Sequence, residues 1–141
     1  MTILYFDSSA FVKLVVEEDG SDLAAALWDG CDAAVSSRLA YPEVRAALAA
    51  AGRAHRLDPA EQSRAEVTWE DFWAATRAVA LTESICAHAG QLASQHALRG
   101  GDAVHLASLF AVGAAETLLA VWDQRLRAGA EAAGVRLAPM T

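Results

Sequence analysis

Thr2-Ile3-Leu4-Tyr5-Phe6-Asp7-Ser8-Ser9 decides how the rest of the chain is read. Its first five residues are an apolar run of strand formers, and the run stops at a carboxylate. Ser8 and Ser9 follow and offer a cap for a helix over Ala10 to Val16. A strand that turns into a helix at an aspartate is the opening of an α/β unit. The question is whether the chain repeats it.

It does. Ser21 offers a cap for a helix to about Trp28, and Ala33 to Ser36 is a second short strand candidate. An alanine-rich helical stretch runs from about Arg38 to His55, with Pro42 requiring a late start or a bend. Asp58-Pro59 opens the next helix with a cap and a first-turn proline, and that helix carries Trp69, Phe72 and Trp73. Arg77 to Leu81 reads as a third strand, Thr82-Glu83 caps a helix to about Leu98, and Gly100-Gly101 interrupts. Asp102 starts an apolar helix to Ala115, Thr117 to Trp122 is a fourth strand, Asp123 opens a helix to Ala133, and Val135 to Ala138 is a last strand. Short apolar strands alternating with helices predict a doubly wound parallel sheet flanked by helices, in a single domain over 1–141. Ligands gather at the carboxyl ends of such strands, where Asp7 and Asp123 stand.

Composition agrees with a globular chain. The 141 residues are 55% hydrophobic and 21% charged, with no internal repeat or low-complexity linker. Cys31 and Cys86 lack CxxC or zinc-site spacing and read as free thiols in a reducing cytosol. No segment has the length of a signal peptide's apolar core or a membrane span, so a cytoplasmic protein without membrane contact is expected. The net charge of −7 has the wrong sign for holding nucleic acid on a broad basic surface. Local arginines would have to supply the attraction.

Four stretches carry acids at telling places. Asp7 ends the first strand, and taken alone it is better explained by helix capping. Glu43 lies in Ser36-Ser37-Arg38-Leu39-Ala40-Tyr41-Pro42-Glu43-Val44, where a solvated surface charge is the plain alternative. Asp102 lies in Leu98-Arg99-Gly100-Gly101-Asp102-Ala103-Val104-His105-Leu106-Ala107; the glycines allow close backbone approach, and a helix N-terminus favours an anion. Asp123 follows Val121-Trp122, again a possible cap. Together they are more telling than singly. Carboxylates crowded in one cleft raise one another's pKa, a strain usually relieved by a cation, and hard oxygen donors select Mg²⁺ or, as a substitute, Mn²⁺.

In order and spacing these stretches resemble the PIN-domain family, in particular the VapC-type toxins of bacterial toxin/antitoxin pairs, over essentially the whole chain. The resemblance implies a PIN-like doubly wound α/β fold and Mg²⁺-dependent hydrolysis of RNA phosphodiester bonds. It further implies a homodimer and a cognate antitoxin that blocks the site. Carried over by position, Asp7 and Asp102 are the principal metal ligands, while Glu43 and Asp123 complete the catalytic cluster. The chain departs from the family at Val121, where Ser or Thr is common two residues before the last aspartate. Either the Ser9 hydroxyl takes over or activity is reduced, which makes a catalytically silent PIN domain that binds RNA or an antitoxin the rival reading.

Arg38, Arg99 and Arg125 lie beside three of the acids and can hold RNA phosphates, or equally neutralise the carboxylates in the resting protein. Lys13 admits similar work or a surface role. His105, on an apolar helix, is expected to be a packed residue with a satisfied hydrogen bond rather than a ligand, and the other histidines are expected at the surface. Trp69, Phe72 and Trp73 at helical spacing predict core or dimer packing, with an anchor for an antitoxin segment as the alternative. A phosphoreceiver domain would pair acids after the first strand and place a lysine after the last ones. A haloacid-dehalogenase-like phosphatase would need an aspartate at Ser9. Neither pattern is present.

Overall fold

A computed structural model describes residues 1–140, so Thr141, the last residue of the expected domain, lies outside the described residues. The strands are β1 (Ile3–Phe6), β2 (Ala33–Ser37), β3 (Arg77–Val79), β4 (Thr117–Ala120) and β5 (Arg136–Ala138). The helices are α1 (Ser8–Val15), α2 (Ser21–Gly30), α3 (Ala40–Arg53), α4 (Pro59–Ala74), α5 (Glu83–His96), α6 (Gly100–Val112) and α7 (Gln124–Ala132). All strand pairs are parallel and the sheet order is β3-β2-β1-β4-β5. The chain leaves β1 toward one edge through β2 and β3, then returns to the other side of β1 with β4. The order therefore reverses beside β1, and a crevice opens at the carboxyl ends of β1 and β4.

The side chains of β1 explain why helices cover both faces. Leu4 and Phe6 point into one core with Phe11, Val44, Leu48 and Trp69, while Tyr5 points into the other with Leu106, Leu109, Leu119, Val121 and Leu126. Alternation along a strand that is apolar at every position requires two hydrophobic layers. The expected aromatic stripe belongs to the first of them. Trp69 is fully buried, 4.9 Å from Phe11 between ring centroids, and the half-buried Phe72 and Trp73 pack edge-on against Trp28 and Phe11. Such pairs each add about 0.5–1.5 kcal/mol beyond area burial. The stripe is core packing rather than a free anchor.

Several boundaries differ from the sequence expectation, each for a local reason. Asp7, not Ser8 or Ser9, is the cap of α1: its Oδ1 accepts the Ala10 N–H at 2.9 Å. Ser21 begins α2 and instead braces the preceding turn, donating to Val16 O and accepting from Glu18 N–H. Gly20, at φ +91°, makes that turn, with its backbone close to Trp122 and Lys13. Helix α3 starts at Ala40 rather than Arg38, which leaves Pro42 in the first turn, where its missing N–H has no helical partner to lose. The capping box of Asp58 and Glu61 opens α4 with Pro59 at its first position, as the sequence indicates. Strand β3 is shorter than expected, and β4 ends at Ala120, so Asp123 stands beyond a short extended linker instead of directly after the strand.

Candidate active site

Four elements bring their acids to the crevice. Asp7 follows β1, Glu43 lies in the first turn of α3, Asp102 in the first turn of α6, and Asp123 caps α7. With Ser8, Ser9, Arg99 and His105 they line one cavity of about 150 Å³. The four sequence-selected carboxylates thus meet in a single place. Of the three arginines considered with them, only Arg99 lines it. Arg38 and Arg125 are exposed and form no ion pair among the described residues.

Each acid is held by its own local structure. Asp7 is buried, with Ser9 Oγ donating to both carboxylate oxygens at 3.1 and 3.0 Å in addition to the Ala10 N–H. Burial pushes this carboxyl above its ordinary range, against those hydrogen bonds, and the charge of Asp102 adds to the rise. Asp123 Oδ1 accepts the Leu126 N–H at 2.9 Å, the cap of α7. Asp102 opens no helix; α6 starts two residues earlier, with both glycines in its first turn. A β-carbon at Gly101 would stand 3.0 Å from Glu43 Oε2, whereas Gly100 faces open space.

Glu43 is the most elaborately held. Its Oε1 accepts from Ser8 Oγ at 2.5 Å and lies 2.7 Å from His105 Nε2. Burial acts to raise this carboxyl, but the His105 and Ser8 hydrogen bonds outweigh it and keep the pKa below the ordinary value. His105 is buried, as expected for a packed histidine, yet it is also part of the cavity wall, which the sequence reading did not anticipate. Its position one turn after Asp102 was a visible signal. Its partner Glu43 is 62 residues away and was not.

Arg99 supplies the counter-charge. Its Nε lies 3.1 Å from Asp102 Oδ2 and its Nη2 3.3 Å from Asp123 Oδ2, which adopts the neutralising role considered for it. With Asp102 and Asp123 drawn to the guanidinium and Glu43 drawn to His105, no three acidic, histidine or cysteine side chains among the described residues are already grouped as an ion's ligands. The donor chemistry nevertheless fits a hard divalent cation. The cavity offers carboxylate oxygens, and the one histidine in it has its Nε2 committed to Glu43 and its Nδ1 to Tyr5. Val121 and Lys13 do other work. Val121 is fully buried in the core shared by Leu119 and Leu126, and Lys13 bonds the Asp19 carbonyl and Glu18 while lying over the Trp122 ring.

A doubly wound parallel sheet with acids from four elements at its reversal point defines a class, and comparison places the chain in it. Residues 4–131 match the PIN domain, and the chain belongs to that family. Two proteins named Ribonuclease VapC45 and Ribonuclease VapC49, from two strains of Mycobacterium tuberculosis, are each 66% identical to it over 139 residues, covering 99% of this chain and 96% of theirs. That likeness sets it in the VapC branch of the family. Among the described residues no helix is long and apolar enough to cross a membrane.

Proposed function

We propose that this chain, as a single PIN domain over 1–141, is a Mg²⁺-dependent endoribonuclease that hydrolyses RNA phosphodiester bonds, with Mn²⁺ able to substitute. In this reading it is the toxic component of a type II toxin/antitoxin pair, works in the cytoplasm as a homodimer and is neutralised by a cognate antitoxin. The observation that carries the proposal is the convergence of Asp7, Glu43, Asp102 and Asp123 on one cavity. The ribonuclease names of its close relatives supply the substrate class.

Asp7 and Asp102 would hold the ion, with Glu43 and Asp123 completing the cluster. A divalent cation supplies charge neutralisation at the scissile phosphate and acidifies water. Glu43 keeps Oε1 engaged by Ser8 and His105, which leaves Oε2 to orient a water molecule and accept its proton. Arg99, released from its carboxylates, holds a phosphate oxygen pair, and the exposed Arg38 and Arg125 guide the RNA backbone toward an otherwise acidic protein.

The silent-module reading draws support from one observation. Val121 puts a methyl pair into the core where many family members place a hydroxyl. Against it, the Asp7 carboxylate already has a hydroxyl partner in Ser9. Incubating a mixed structured RNA pool with the purified protein in Mg²⁺, Mn²⁺ or EDTA decides between the two. Cleavage that requires metal and disappears in Asp7→Asn is expected; a folded, metal-binding wild type that leaves the pool intact would transfer the case to the silent module.

A further inference from the structure

Tyr5 is fully buried in the middle of β1, yet its phenol is fully engaged. The oxygen accepts the Ser37 N–H at 3.0 Å and lies 2.8 Å from His105 Nδ1. A phenol can donate as well as accept. His105 Nδ1 lies within bonding distance of that hydroxyl, and the Ser36 and Ser108 hydroxyls adjoin it as well. The Glu43 carboxylate orients the imidazole from its other side: the arrangement that serves both contacts has Nε2 donating to Glu43 Oε1 at 2.7 Å and Nδ1 accepting from the phenol. The ring is set at 79° to Tyr5 and is nearly inaccessible, with both nitrogens spoken for, so it has no alternative orientation that satisfies them.

From this chain of contacts we infer that Tyr5 and His105 are positioning residues, a hydrogen-bonded strut from the central strand that holds one oxygen of Glu43 and thereby presents the other to the scissile phosphate. The inference rests on the nuclease reading of the site. Three facts distinguish a strut from ordinary core packing. The contacts form a continuous series, phenol to imidazole to carboxylate. The series ends on a cavity-lining acid. Finally, the free oxygen of that acid abuts a glycine that leaves it room. Ser8 braces the same Glu43 oxygen from α1, so Oε1 is held from two elements. Outer partners of this kind usually change activity or metal affinity by about 10- to 100-fold when removed.

Long-range ¹H–¹⁵N NMR of the histidine rings in the whole protein reads the first half directly. His105 should show a protonated Nε2 and a bare Nδ1; the opposite tautomer overturns the strut whatever any variant does. The second half is read by steady-state cleavage of an RNA that the wild type cuts, at saturating Mg²⁺, with thermal melts confirming folding. His105→Ala and Tyr5→Phe should lower kcat by about tenfold or more with KM unchanged, because RNA binding is left alone and only the orientation of Glu43 is lost. His105→Gln, which restores an N–H donor toward Glu43, should recover most of the rate. Folded variants that cleave at the wild-type rate would overturn the inference while the nuclease reading stands. Absence of metal-dependent cleavage by the wild type would instead overturn that reading and take the inference with it. Should His105→Ala fail to fold, Tyr5→Phe and the wild-type tautomer still decide the matter.

Discussion

Arg99 reaches across the crevice to Asp123, its Nη2 3.3 Å from Asp123 Oδ2, so that a side chain at the mouth of α6 ties down the cap of α7. The same guanidinium holds Asp102 through Nε, which places a protein cation where two of the four acids would meet a metal ion. A metal ion bound there would compete with the guanidinium for the same oxygens.

Arg99→Gln should therefore tighten Mn²⁺ binding by roughly tenfold, the scale on which one nearby unit charge acts in a solvated cleft. Isothermal titration calorimetry on the metal-free protein measures it. If the guanidinium also receives an RNA phosphate, KM for RNA rises in the same variant. Unchanged Mn²⁺ affinity would show that the bridge is incidental.

Asp7→Asn should abolish metal-dependent cleavage while keeping the fold, because an amide oxygen still caps α1. The pH dependence of metal-free stability gives a second check. Burial raises the Asp7 pKa in the folded protein above 3.8, so its folded state holds a proton that the unfolded chain releases. The Asp7 contribution is then greatest below that value and falls as pH rises toward the folded pKa. Relative to wild type, Asp7→Asn gains stability across that rise, as urea unfolding in EDTA at several pH values will show.

Gly101→Ala separates activity from stability. Replacing a helical glycine with alanine commonly stabilises by about 0.4–1 kcal/mol, yet the new β-carbon would meet Glu43 Oε2 at 3.0 Å. Cleavage should fall while the urea midpoint holds or rises. Gly100→Ala, in open space, should leave cleavage unaffected.

Trp69→Ala should cost about 3–5 kcal/mol, the range for emptying a buried aromatic site. Trp69→Phe should cost clearly less, since it keeps a ring against Phe11 and discards an indole N–H that has no partner among the described residues. Equal losses in urea titrations would mean that the ring contacts contribute little.

Much of this architecture was legible because it is written locally. The run ending at Asp7, the Asp58-Pro59 start and the breaks between apolar stretches each report a boundary within a few residues, and the parallel sheet follows from their alternation. Asp7 was legible as a strand-end acid, and Asp123 as the residue that opens α7. Glu43 was weaker, since a first-turn glutamate looks the same whether it faces solvent or a cavity, and its role came from resemblance to a family. His105 was judged correctly as packed but its place in the site depends on Tyr5, 100 residues earlier. Arg99 likewise pairs with an acid 24 residues on. Contacts at such separations leave no periodicity to read.

The carboxylates divide their oxygens between two tasks. Asp7 and Asp123 each spend Oδ1 on a helix N–H, and Asp123 keeps Oδ2 for the crevice. Removing such a cap outright costs about 0.5–2 kcal/mol, a large share of a small protein's margin. Folding alone would therefore preserve a capping side chain, aspartate or asparagine, at both positions in a descendant that had stopped cutting RNA. Decay of the enzyme would show first at Glu43, Gly101 and His105, whose arrangement serves the crevice, and in this lineage those positions are the better record of whether the chemistry is still under selection.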